Sequence, residues 1–179
     1  MLSNISFKLK VYKSLFLSRN MTKDYSINEL KEEYNKIQKA HDLPVFEEMN
    51  HDFQIEKIDE TENLLREVRK FMADKFSNYM RFSEALLNPT NVPMFVFAVV
   101  KTLQTEDKKV LSEIYKKLAG IEIQTIELDI KFDEKKEAGY IKENFKIWQG
   151  IKENLLKIIE VVQKNWDSES VAKDKGYFG

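Results

Sequence analysis

LLREVRKFMADKFSNYMRFSEALL, residues 64–87, decides the fold. Leu64, Val68, Phe71, Met72, Phe76 and Tyr79 recur at steps of three and four, the spacing that lines one face of an α-helix and that no strand can use. The pattern predicts a long helix over about 60–87, opened by a capping arrangement of Asp59 with Glu62 and stopped by Asn88-Pro89. At ~1.5 Å per residue it is about 42 Å long, the spine of the molecule.

The same period returns at the C-terminal end in Ile141, Phe145, Trp148, Ile151, Leu155, Ile158, Val162 and Trp166. It predicts a second long helix over about 134–166, with Gly139 and Gly150 as places where it can bend or break. Upstream, Ser26 followed by Glu29 forms a capping box, and Ile27, Leu30, Tyr34 and Ile37 give a helix over about 27–41 that Leu43-Pro44 ends. Pro44 can open a short helical turn through Glu47 and Met49.

Two segments read both ways. Val92–Val100 is an apolar run that suits a buried strand or a buried helix, and Pro93 at a first helical position favours helix. Thr105 is then placed to cap a helix whose first turn holds Glu106 and Asp107, with Val110, Leu111, Ile114 and Leu118 along one side. Beyond it, Ile126, Leu128, Ile130 and Phe132 alternate like a strand. Leu118, Ile121, Thr125, Leu128 and Phe132 keep the helical step, and a lone strand has nothing to pair with, so helix is favoured. The expected fold is an all-α antiparallel bundle of about five helices.

Composition agrees with this reading. The 179 residues are 42% hydrophobic and 33% charged with five glycines and three prolines, as one helical domain requires. The longest apolar run, 92–100, is about half the ~20 residues needed to cross a bilayer, so no segment is expected to span a membrane. No cysteine is present, which excludes disulfides, thiolate nucleophiles and sulfur-ligated metals and points to a reducing, cytoplasmic setting.

Residues 1–20 hold Lys8, Lys10, Lys13 and Arg19 and no acid, unlike everything that follows. They read as an extension ahead of a domain over 21–166: a non-native upstream piece, a transit segment, or a strand or membrane-surface arm. Residues 167–179 read as a flexible polar tail, in which Gly176-Tyr177-Phe178-Gly179 has the look of a short recognition element.

Chemistry-bearing constellations are few. Glu48 and His51 share a Glu-x-x-His spacing, but a di-iron bundle needs two such pairs, and the other histidine, His41, is preceded by Gln38. No metal or other cofactor is expected. His41-Asp42 and His51-Asp52 repeat one dipeptide, yet neighbours on a helix usually point apart, so adjacency is only weak support for a working dyad and coincidence is the better account. No phosphate loop, dinucleotide turn or nucleophile elbow is present.

Besides Arg19, the arginines all lie on the 60–87 helix. Arg66, Lys70 and Arg81 fall opposite its apolar stripe and Arg69 toward its edge. They make a candidate basic strip for an anion or a nucleic acid, with an i,i+4 Glu62–Arg66 pair as the competing use. Phe46, Glu47, Glu48 and Phe53 make a candidate contact for a basic protein partner, the alternative being that the aromatics dock on the bundle.

The runs LPVFEEMN (43–50), LLREVRKFMADKF (64–76) and ENFKIW (143–148) resemble small, conserved, all-helical archaeal proteins of uncharacterised function. The likeness covers about 43–166. It implies a helical fold and an intracellular setting and supplies no activity. Where such proteins have Trp-Pro this chain reads Trp148-Gln149, which puts a helix break there in doubt. The expected function is a non-enzymatic scaffold or adaptor that binds another protein or itself, with a nucleic-acid-associated subunit as the alternative.

Overall fold

The computed structural model of the chain describes residues 26–90, 97 and 100–174, with side chains as far as Trp166. Five α-helices are present among them: α1 (Ile27–His41), α2 (Phe46–Phe53), α3 (Leu64–Leu87), α4 (Thr105–Ile130) and α5 (Glu134–Asp174), with a 3-10 turn at Ile55–Lys57. The described residues contain no strand. None of the described helices is long and apolar enough to cross a membrane.

Helix ends follow local chemistry. Ser26 Oγ accepts from the Glu29 N–H at 3.2 Å while the Glu29 carboxylate accepts from the Ser26 N–H at 3.0 Å, the capping box read from the sequence. Asp42 closes α1 in the left-handed region at φ 54, donating its N–H to the Gln38 carbonyl. The Tyr34 hydroxyl then donates to the Pro44 carbonyl at 2.8 Å, which folds the chain back along α1.

Three boundaries differ from expectation. α3 starts at Leu64 rather than near 60, because Asn63, not Asp59, supplies the cap by accepting from the Arg66 N–H at 3.1 Å. Thr105 is the first residue of α4 and not its cap; the Asp107 carboxylate instead accepts from the Gln104 N–H at 2.9 Å. α5 passes unbroken through Gly139, Gly150 and the Trp148-Gln149 step and runs on to Asp174, past the end expected near Trp166. Between Trp166 and Gly176 there is no glycine or proline to stop it.

Of the ambiguous 121–132 stretch, 121–130 is helical, nearly three turns that complete α4, and Lys131 and Phe132 follow its end. Phe97 and Val100 are helical too, and the rest of 92–99 lies outside the described residues, as do 1–25 and the tail after Asp174.

Direction follows from the contacts. Arg69 meets Asp129 and Ser77 meets Glu122, so α4 runs antiparallel to α3. Thr125 meets Tyr140 and Gln124 meets Asn144, so α5 reverses again. Arg69 beside Glu137 and Tyr79 beside Trp148 show α5 parallel to α3. The frame is an up-down-up trio, with α1 and α2 laid against it.

The core is where the sequence stripes meet. Val68, Met72, Phe76, Ile141, Ile151 and Leu155 are buried with Leu118 and Ile121 of α4. Phe53 of α2 enters edge-on to Phe76 with centroids 5.4 Å apart, and Tyr79 stacks flat on Trp148 at 5.0 Å. A smaller cluster of Leu86, Val100, Leu103, Leu111 and Ile158 closes the far end. Trp166, the last residue of the expected stripe, is 46% exposed.

A Cβ added at Gly150 meets nothing within 4 Å. The glycine therefore costs helix entropy with no packing gain, and Gly150→Ala is expected to raise stability by roughly 0.5–1 kcal/mol. Thermal unfolding should show this as an upward shift of about 2–4 °C per kcal/mol.

Candidate interaction surfaces

Arg69 was expected at the edge of an exposed strip, and the structure corrects this: its side chain is 0% exposed. The guanidinium lies where the three long helices converge. Nη2 donates to Asp129 of α4 at 2.5 Å, and Nε lies 2.7 Å from Oε2 of Glu137 on α5, itself 0% exposed. This second contact is off the N–H direction, so Arg69 Nε and Nη1 and both Glu137 oxygens lack an aligned partner. Burial pushes the Glu137 carboxyl up, against the Arg69 charge that pulls it down. Beside it, the buried Tyr140 hydroxyl shares a hydrogen bond with Thr125 at 2.9 Å, and burial pushes it up to about 12.

The remaining strip residues stay near the surface without converging. Lys70 pairs with Glu67 at 2.7 Å on its own helix. Arg81 donates to the Ser77 carbonyl and to Asn78, also on α3. Arg66 lies 5.8 Å over the Phe132 ring. The i,i+4 pairing expected with Glu62 does not apply, because Glu62 precedes the helix.

Of the four residues proposed for a basic partner, Phe46 and Phe53 are buried. They dock on the bundle, Phe46 edge-on to Tyr34 and Phe53 against Phe76. Glu47 is exposed and pairs with Lys31, which lowers its carboxyl below the usual range. Glu48 lines a cleft of about 460 Å³ between α2 and α5, together with Glu47, His51, Asp52, Phe145, Gln149 and Lys152.

Asp52 is the centre of that cleft. Its side chain is almost buried and accepts from Trp148 Nε1 at 2.9 Å, Gln149 Nε2 at 3.0 Å and the Lys152 ammonium. His51 Nδ1 lies 2.9 Å from the same carboxylate, so the adjacent pair does meet, against the expectation from helix geometry. Both side chains can turn toward each other because they sit in the last turn of α2, before Gln54 reverses the chain at φ 57.

Burial pushes the Asp52 carboxyl up, but the donors from Lys152, Gln149, His51 and Trp148 outweigh it and hold it down at about 2. Among the described residues, no serine or threonine lines the cleft. The cluster clamps α2 onto α5. No group of three or more His, Asp or Glu among the described residues could hold a metal ion.

The surface that the sequence reading missed lies on α4. Its inner face, Leu111, Ile114, Leu118, Ile121, Thr125 and Leu128, is buried. About 140° around the helix, at ~100° per residue, lies a second apolar stripe whose residues are open to solvent: Ile123 at 69%, Ile126 at 52% and Ile130 at 82%. The signal was available: once Leu118, Ile121, Thr125 and Leu128 are assigned inward, Ile123, Ile126 and Ile130 cannot be.

No protein-family model, curated protein or solved structure matches the chain.

Two stability measurements follow. Arg69→Met strands the Glu137 carboxylate and is expected to cost about 3–5 kcal/mol in urea unfolding, most of it regained in Arg69→Met/Glu137→Leu. The folded Asp52 carboxyl lies below its ordinary 3.8, so its contribution is present above that value and is lost as pH falls toward about 2. Asp52→Asn should cost about 1.5–3 kcal/mol at neutral pH and flatten the acid limb of a stability-versus-pH profile.

Proposed function

We propose that the protein is a non-enzymatic helical adaptor or scaffold, set in the cytoplasm, that binds protein through the outward face of α4. The observation that carries this reading is a helix apolar on two sides with only one side covered. A helix serving its own core alone needs one apolar stripe and a polar remainder. Ile123, Ile126 and Ile130 form instead a contiguous exposed surface of the kind that marks interaction sites. Each isoleucine offers about 1.5–3 kcal/mol when a partner fully buries it.

The alternative of a nucleic-acid subunit is less well supported. Its strip loses Arg69 to the interior, and Lys70 is neutralised by Glu67. The Asp52 cleft likewise offers a clamp rather than a reaction centre. The resemblance to small helical archaeal proteins is compatible with an adaptor and adds no activity to it.

The test compares the wild type with Ile126→Glu/Ile130→Glu in cross-linking from the native cell. The variant is expected to keep its circular dichroism and melting temperature and to lose the cross-linked species. Identical cross-linked sets from the two proteins would overturn the reading.

A further inference from the structure

On its outward side α4 repeats every seven residues. Lys109, Lys116, Ile123 and Ile130 stand at one position of the repeat, and Ser112, Ala119 and Ile126 stand three residues further on. At ~100° per residue they share an arc of about 100°, drifting about 20° per repeat as the seam of a left-handed supercoil does. The row is about 32 Å long, three heptads. All of it is exposed except Ala119, which is half-buried.

The charges along this row are unbalanced. In the isoleucine half the acids are taken by the frame: Glu122 accepts from Ser77, Asp129 from Arg69 and Glu127 from Lys136. In the other half Lys109 is held by Glu106 at 2.8 Å. Lys108 and Lys116 are exposed and have no ion-pair partner among the described residues. Lys116 lies in the row itself, one heptad before Ile123. Glu113 and Lys117 stand to one side of it.

We propose that this row receives one amphipathic helix of a partner protein, an inference that rests on the adaptor reading above. The partner helix spans about three heptads. It sets apolar side chains against Ile123, Ile126 and Ile130, and carboxylates against Lys108 and Lys116. Ser112 and Ala119 are small, so larger side chains of the partner seat over them as knobs in holes.

A helix apolar along its whole length would cover Lys116 and leave the ammonium dry and unpaired. A basic one would be repelled. A carboxylate opposite Lys116 answers the charge and also fixes register, as a single polar position in an apolar seam does. A lipid surface suits the row less well. Lysine and isoleucine occupy the same narrow strip, whereas a surface-bound helix keeps its bases on the polar face, away from the acyl layer.

Fluorescence anisotropy with two synthetic helical peptides tests this on the full chain. Both peptides carry Leu facing Ile123, Ile126 and Ile130; one carries Glu and the other Lys facing Lys108 and Lys116. The Glu peptide is expected to bind about tenfold or more tightly than the Lys peptide. Lys108→Glu/Lys116→Glu should reverse that preference, and Ile126→Glu should weaken both peptides. Unchanged circular dichroism and melting temperature in these variants separate loss of contact from loss of fold.

Equal binding of the two peptides, or binding of neither, overturns the proposal. So does lysine-dependent cosedimentation with phosphatidylserine vesicles, or self-association of the wild type that Ile126→Glu abolishes. In cross-linking from the native cell, the species lost in Ile126→Glu/Ile130→Glu should also be lost in Lys108→Glu/Lys116→Glu. Their loss in the first variant and retention in the second would sink the acidic helix alone. Retention in both would sink the adaptor reading as well.

Discussion

Among the described residues, the guanidinium of Arg69 reaches across all three members of the frame. It leaves α3, meets Asp129 near the C-terminal end of α4 and lies against Glu137 near the start of α5. Hydrophobic stripes alone tolerate sliding by a turn, since apolar surface has no direction. A buried charge does not, because a slip leaves it without a counter-charge in a medium that solvates it poorly. Arg69 therefore sets the relative height of the three helices, and the layers above it fall into place: Ser77 on Glu122, Tyr79 on Trp148, Leu86 beside Leu111 and Ile158.

Asp52 does the corresponding work for the shorter helices. α2 has only eight residues and its N-cap, Val45, has no side-chain cap. A helix this short is marginal alone. It persists by inserting Met49 and Phe53 into the core and by anchoring its last turn on Trp148, Gln149 and Lys152. α1 is tied in turn through Tyr34 to Pro44 and through Asp42 to Lys142. The two small helices are fastened at their ends by polar contacts and along their lengths by aromatic ones.

The parts legible in the sequence were those governed by period. Val68, Met72 and Phe76, and Ile141, Trp148, Ile151 and Leu155, are buried as the three-four spacing required. Boundaries were less legible, since Asp59 and Asn63 are both plausible caps and only the chain path chooses Asn63. The site residues were less legible still. Arg69 sits at the edge of its own helix's stripe, and it is the arrival of α5 with Glu137 that encloses it. Phe46 and Phe53 look like anchors for a partner until the frame they dock on is assembled. Two of the outward isoleucines carry a second pattern: Ile126 and Ile130 alternate with Leu128 and Phe132 as a strand would, which masks the two-sided helix beneath.

That two-sidedness divides labour within a single rod. Ile123, Ile126 and Ile130 belong to neither core cluster, whereas Leu118, Ile121 and Leu128, a few ångströms away along the same backbone, hold the frame together. Selection on foldability acts on the inner row and is nearly blind to the outer one. Under the proposed reading, a lineage could exchange binding preference through drift at three codons while its architecture stayed untouched.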